Sequence, residues 1–170
     1  AAMVSKMDET LGRILDRLKK LGIEENTYIF FTSDNGAAAG GLDGLNGNAP
    51  LNRWLERVGY STEYETLGEK GSWVAPGIGN ASISNSPLIH YKFHTNEGGL
   101  RVPLVMSGPG ISQHGELTDE FTFVTDIAPT ILSLVGLNDH EGNFNGDSVE
   151  PIVGANFSGY LMGTTQQVHS

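Results

Sequence analysis

The chain has 170 residues, 38% of them hydrophobic, which is enough for one ordinary domain with a core. Its formal net charge of −10 and the lack of any basic cluster beyond Arg17, Lys19 and Lys20 argue against a general nucleic-acid or anionic-membrane surface, so an anionic substrate would need local positive charge. Zero cysteines exclude disulfides, thiolate metal sites and a cysteine nucleophile, and no run of eighteen apolar residues offers a membrane segment.

Ala1–Lys6 reads as the start of an amphipathic helix rather than a signal sequence. Apolar residues at Met3, Met7, Leu11, Ile14, Leu15, Leu18 and Leu21 predict a helix with one buried face, stopped at Gly22. Glu9–Arg13 and Asp16–Lys20 are placed to pair on its exposed side. The unbroken run from Thr27 to Thr32 predicts a strand covered on both faces, and a helix followed by such a strand implies an α/β layer with mostly parallel strands and flanking helices. Gly, Ala, Asn and Leu then make up almost all of Ala37 to Pro50, and one small helix is expected at Leu51–Val58 inside a long Gly-rich loop reaching Asn85. Ser86-Pro87 is read as opening a short helix that carries Lys92 and stops at Gly98-Gly99. Val102–Ser107 predicts a second buried strand, and Thr125–Leu132 a helix with Asp126 near its start and Gly136 after it. Residues 1–154 are read as part of one catalytic α/β domain and residues 155–170 as a truncated or frayed tail.

Three places could carry chemistry. Asp34 and Asn35 set a carboxylate beside an amide oxygen at a strand end, the hard oxygen pair that Ca²⁺ or Mg²⁺ prefers, although Ser33-Asp34-Asn35-Gly36 also reads as a plain tight turn. Lys92, between Tyr91 and Phe93, is either a cation aimed into a pocket or a snorkelling surface residue. His90 and His94, four apart, could share a metal on a helix or be polar surface. Gly98-Gly99 suggests close backbone approach, and Arg101 a buried or half-buried ion pair. Asp126 reads as a helix cap, and Asn80-Ala81-Ser82 as a glycosylation-type triplet.

Four blocks in order, Phe30-Phe31-Thr32-Ser33-Asp34-Asn35-Gly36, Ser84-Asn85-Ser86-Pro87 with Tyr91-Lys92, Glu97-Gly98-Gly99-Leu100-Arg101-Val102-Pro103 and Thr125-Asp126-Ile127-Ala128-Pro129-Thr130, resemble the later part of sulfatases, most of all the bacterial arylsulfatase branch of the alkaline phosphatase superfamily. The resemblance implies a partial alkaline-phosphatase-like fold, with Asp34 and Asn35 as Ca²⁺ ligands (Mg²⁺ as the alternative) and Lys92 as a sulfate-binding catalytic lysine. It implies a sulfate-ester small molecule or saccharide as substrate, and a periplasmic or secreted setting if the protein is like bacterial members. The family's nucleophile is a formylglycine made from Cys or Ser in a Cys/Ser-x-Pro-x-Arg motif. No such motif occurs here, so the expectation is a middle segment, inactive alone, whose nucleophile lies in a missing upstream part of its own chain. The competing readings are a phosphonate or phosphodiester hydrolase of the same superfamily and a non-catalytic α/β module.

Overall fold

The computed structural model describes residues 2–40, 49–112, 114–137 and 141–169. In chain order these form helix α1 (Ala2–Leu21), strand β1 (Ile29–Thr32), helices α2 (Ala49–Val58), α3 (Gly77–Asn85) and α4 (Glu97–Leu100), strand β2 (Leu104–Ser107), helix α5 (Ile127–Leu134), strands β3 (Asn143–Phe144) and β4 (Asp147–Ser148), and helix α6 (Ser158–Leu161). β1 and β2 are neighbours in one two-stranded sheet, and β3 pairs antiparallel with β4, Asn143 opposite Ser148. The residues gather into two compact units, Ala1–Ile29 with Met106–Ser170 and, separately, Phe30–Val105. No helix among the described residues is long and apolar enough to cross a membrane.

Good helix formers carry α1 to Leu21, where Gly22 turns left-handed (φ 67°) and donates to the Lys19 carbonyl at 3.0 Å. The predicted apolar stripe is present but not buried. Leu11, Leu15 and Leu18 are half-covered, whereas Met3 is 77% exposed and Met7, Ile14 and Leu21 are open as well. Periodicity fixes which side of a helix is apolar; it does not supply the surface that covers it. Glu9 pairs with Lys6 at 2.7 Å, in place of the expected Arg13. β1 also departs from expectation, since Ile29 and Phe30 are half-buried while Phe31 and Thr32 are exposed.

Two helices, not one, occupy the stretch before Asn85. α2 begins at Ala49, and residues 41–48 of the predicted loop lie outside the described residues. α3 contains Gly77, Gly79, Asn80 and two serines, a composition that disfavours helix. Packing overrides propensity there: Ala81 is fully buried, Asn80 Nδ2 donates to the Pro76 carbonyl and Ser84 Oγ to the Asn80 carbonyl, each at 2.8 Å. Within the same unit Trp54, Tyr60 and Trp73 form a ring cluster, with centroids 6.1–6.2 Å apart, beside the buried Leu55.

The segment expected to fray is instead tied to α5. Asp126 is 1% exposed, and its carboxylate accepts the N–H groups of Phe123 and Ala155, both at 2.7 Å, and meets His169 Nε2 at 2.8 Å. Thr130 Oγ1 donates to the Asp126 carbonyl at 2.7 Å and accepts the Phe157 N–H at 3.0 Å, seating Phe157 and Leu161 in the core. Burial alone would push the Asp126 carboxyl up, but the donors from Ala155, Phe123 and His169 together outweigh it and hold it below the ordinary 3.8.

A depressed carboxyl stabilises the fold fully above the unfolded value and loses that contribution as pH falls through the folded one. Unfolding midpoints measured between pH 6 and pH 2.5 should therefore drop for the native chain below about 3.8. Asp126→Asn, less stable by about 2 kcal/mol at neutral pH, should show a flatter profile. Equal slopes in the two proteins would contradict the assignment.

Candidate functional site

All three candidate positions lie in the unit Phe30–Val105. Asp34 and Asn35 follow β1 directly, as predicted, in a turn closed by Ser33 Oγ donating to the Asn35 carbonyl at 2.8 Å. Asp34 is exposed, and its carboxylate has no hydrogen bond or ion pair among the described residues. Asn35 donates Nδ2 to the Gly36 carbonyl at 2.9 Å, which leaves Oδ1 as its free acceptor. The turn thus presents two oxygen ligands and no nitrogen or sulfur, a donor set that fits Ca²⁺ or Mg²⁺ and not zinc. Among the described residues no group of three or more His, Cys, Asp or Glu side chains gathers around a common point, so this pair is part of a shell at most.

The helix predicted from Ser86-Pro87 through Lys92 to a stop at Gly98-Gly99 is absent, and Gly98 and Gly99 instead lie inside α4. α3 ends at Asn85, the residue before Pro87 is extended (Ser86, ψ 136°), and His90 and Phe93 turn left-handed at φ 66° and 76°. Lys92 therefore sits on an irregular turn between two residues that no helix could hold. His90 and His94 are brought together by that turn rather than by helical spacing, their rings stacking 4.4 Å apart at 16°. Lys92 is half-buried with its Nζ 5.4 Å from the Phe93 ring centroid, and no carboxylate pairs with it among the described residues. In a chain with twice as many acidic as basic residues, that leaves a cation open to an anion from outside.

Backbone hydrogen bonds stitch the two turns together. Lys92 N–H donates to the Ala37 carbonyl at 3.0 Å, only two residues past Asn35, a step of at most about 7 Å. Gly36 N–H donates to the Gly99 carbonyl at 3.1 Å. A Cβ on Gly36 would fall on the Gly98 carbonyl, one on Gly98 on the His90 carbonyl, and one on Gly99 on the His94 carbonyl, so the close approach inferred for Gly98-Gly99 is real and extends to Gly36. Arg101 departs from expectation: it meets Glu97 at 4.0 Å with both side chains more than half exposed, a surface pair of little energetic weight. Asn85 was legible only as part of a motif. Its side chain reaches Ala37, His90 and Gly98, none of them signalled by its predicted place at the end of the long loop.

Comparison with known proteins places these features in a family. The sulfatase family model matches residues 1–137, and the chain belongs to the sulfatase family. Membership implies the alkaline-phosphatase-like α/β fold. The chain is 31% identical over 159 residues to an arylsulfatase of Klebsiella aerogenes, covering 93% of this chain and 33% of that protein. It is 34% identical over 150 residues to an uncharacterized sulfatase of Schizosaccharomyces pombe (88% and 26% covered), and 32% identical over 134 residues to the N-acetylgalactosamine-6-sulfatase of Mus musculus (79% and 19%). The chain spans a third or less of the length of these relatives.

Gly36→Ala should cost about 1–3 kcal/mol, because the collision is with backbone that cannot rotate away. Gly12→Ala, in the middle of α1 with nothing within 4 Å of the added carbon, should instead stabilise by about 0.5–1 kcal/mol. Urea denaturation of the two variants checks the contrast.

Proposed function

We propose that this chain supplies the Asp34–Asn35 oxygen pair and the Lys92 cation to an active site that hydrolyses a sulfate ester of a small molecule or saccharide. The observation that carries the reading is the hydrogen bond from Lys92 N–H to the Ala37 carbonyl, which fastens a lysine with no carboxylate partner among the described residues to the turn that bears the Asp34 and Asn35 side-chain oxygens. Asp34 Oδ and Asn35 Oδ1 would hold Ca²⁺, with Mg²⁺ as the alternative, and the ion would supply Lewis-acid stabilisation of charge on the transferring group. Its remaining ligands would come from water and from polypeptide outside these residues. Lys92 Nζ would bind a sulfate oxygen and neutralise charge building on the leaving oxygen, a contribution of the kind fixed donors make to a transition state. The mostly parallel sheet belongs to the same proposal. So does a formylglycine nucleophile supplied from outside these 170 residues, since the chain holds neither a cysteine nor a Ser-x-Pro-x-Arg motif. The arylsulfatase assignment draws its support from the Klebsiella relative, and the saccharide alternative from the N-acetylgalactosamine-6-sulfatase relative.

The purified chain should not turn over a chromogenic aryl sulfate, with or without Ca²⁺. Titration calorimetry should nevertheless show Ca²⁺ binding that Asp34→Ala removes. Joined to the nucleophile-bearing region of a sulfatase, the chain should gain Ca²⁺-dependent turnover that Lys92→Ala lowers by about 10² or more. Turnover by the chain alone would place the nucleophile within it, and turnover indifferent to Lys92→Ala would remove the lysine from the chemistry.

A further inference from the structure

Asn85 ends α3 half-buried, and both ends of its side-chain amide are engaged. Oδ1 accepts the Ala37 N–H at 3.1 Å. Nδ2 donates to the carbonyls of His90 at 3.0 Å and Gly98 at 2.6 Å. One N–H donor and two carbonyl acceptors as partners leave the amide a single satisfied orientation. The bonds also close a circuit: Asn85 holds the Ala37 N–H, the Ala37 carbonyl holds the Lys92 N–H, and the His90 carbonyl, two residues before Lys92, returns to Asn85.

The circuit matters because the lysine turn lacks regular structure of its own. His90 and Phe93 each adopt a left-handed conformation, which costs about 1–2 kcal/mol per non-glycine residue, and beside one internal bond, His94 N–H to the Tyr91 carbonyl at 3.1 Å, the turn is held by bonds that leave it. Those bonds run to the Ala37 carbonyl and to the Asn85 amide, and just before the turn the Ile89 carbonyl accepts the Gly98 N–H at 2.9 Å.

We propose that Asn85 is a positioning residue that couples the Lys92 turn to the Asp34–Asn35 turn, so that the cation and the oxygen ligands are held in one register. The proposal rests on the reading of those residues as parts of one sulfate-ester site. No other side chain reproduces the pattern. Aspartate keeps the acceptor for Ala37 but loses both donors and sets a charge against two carbonyls, while alanine loses all three bonds and glutamine carries the amide one methylene too far.

The test is by ¹H–¹⁵N NMR and amide exchange on the whole chain, native and Asn85→Asp, with Ca²⁺ as the probe. In the native chain Ca²⁺ should shift the amides of both Asn35 and Lys92. In Asn85→Asp the Asn35 response should persist while that of Lys92 falls at least about fivefold, and Lys92 amide exchange should quicken roughly tenfold with the rest of residues 30–105 still protected. Asn85→Ala, with the amides of Leu55 and Trp73 in the same unit as the fold control, should release the Ala37 amide as well. Unchanged Lys92 exchange and an unchanged Lys92 response would overturn the proposal. So would uniform loss of protection across residues 30–105, the mark of a general structural role. If Asn35 in the native chain ignores Ca²⁺, the metal reading fails, and local release of the Lys92 amide alone decides the role of Asn85.

Discussion

Three peptide backbones meet around Gly36, Gly98 and Gly99, and the candidate site depends on there being no side chain at that meeting point. None of these glycines takes a left-handed conformation, so what they contribute is size, not conformational freedom. With a hydrogen atom where other residues carry Cβ, the turn after β1 can donate from Gly36 into α4, and α4 can lie under the carbonyls of Ile89, His90 and His94. The functional side chains then project from loops, which is usual for binding residues, but these loops are joined by main-chain hydrogen bonds as tightly as strands are joined in a sheet. Peptide groups fixed in this way give Lys92 a defined origin even though it belongs to no regular element.

The other unit is organised differently, around a buried charge. Asp126 sits where an apolar residue would be expected, yet each carboxylate oxygen is matched by a backbone donor and one also meets the His169 ring. A carboxylate satisfied on that scale is tolerable in a core, and removing any partner would leave it costly. Its partners come from positions 123, 155 and 169, so one side chain pins both ends of the segment after Gly154. Thr130 repeats the device one helical turn later with Phe157.

Elements governed by local rules were legible in the sequence. The span of α1 and its stop at Gly22 follow from periodicity and from a left-handed glycine, and the two strands before Asp34 and before Gly108 follow from apolar runs, although the second begins at Leu104, not Val102, and is not buried as expected, with Val105 exposed. What failed depended on partners distant in sequence. α3 is built from poor helix formers and packs through the buried Ala81; the turn at Lys92 is held by Asn85 and Ala37; residues 155–169 are held by Ser112, Glu120, Asp126 and Thr130, all earlier in the chain. Asp34, Asn35 and Lys92 could be named from their motifs, while Asn85, whose effect is exerted entirely through other residues' backbones, had no chemical signature to betray it.

The aromatic cluster has an optical consequence. The chain's two tryptophans lie in the unit that also carries Lys92 and Asn85, Trp54 stacked on Tyr60 and Trp73 edge-on to both. Emission excited at the red edge of the indole band therefore originates from that unit alone. The far-ultraviolet ellipticity, by contrast, draws heavily on α1, the longest helix, which belongs to the other unit. The two signals weight the units differently, because α2, α3 and α4 also add ellipticity from the tryptophan-bearing unit, so emission that changes before the ellipticity on denaturation would mark that unit as unfolding first.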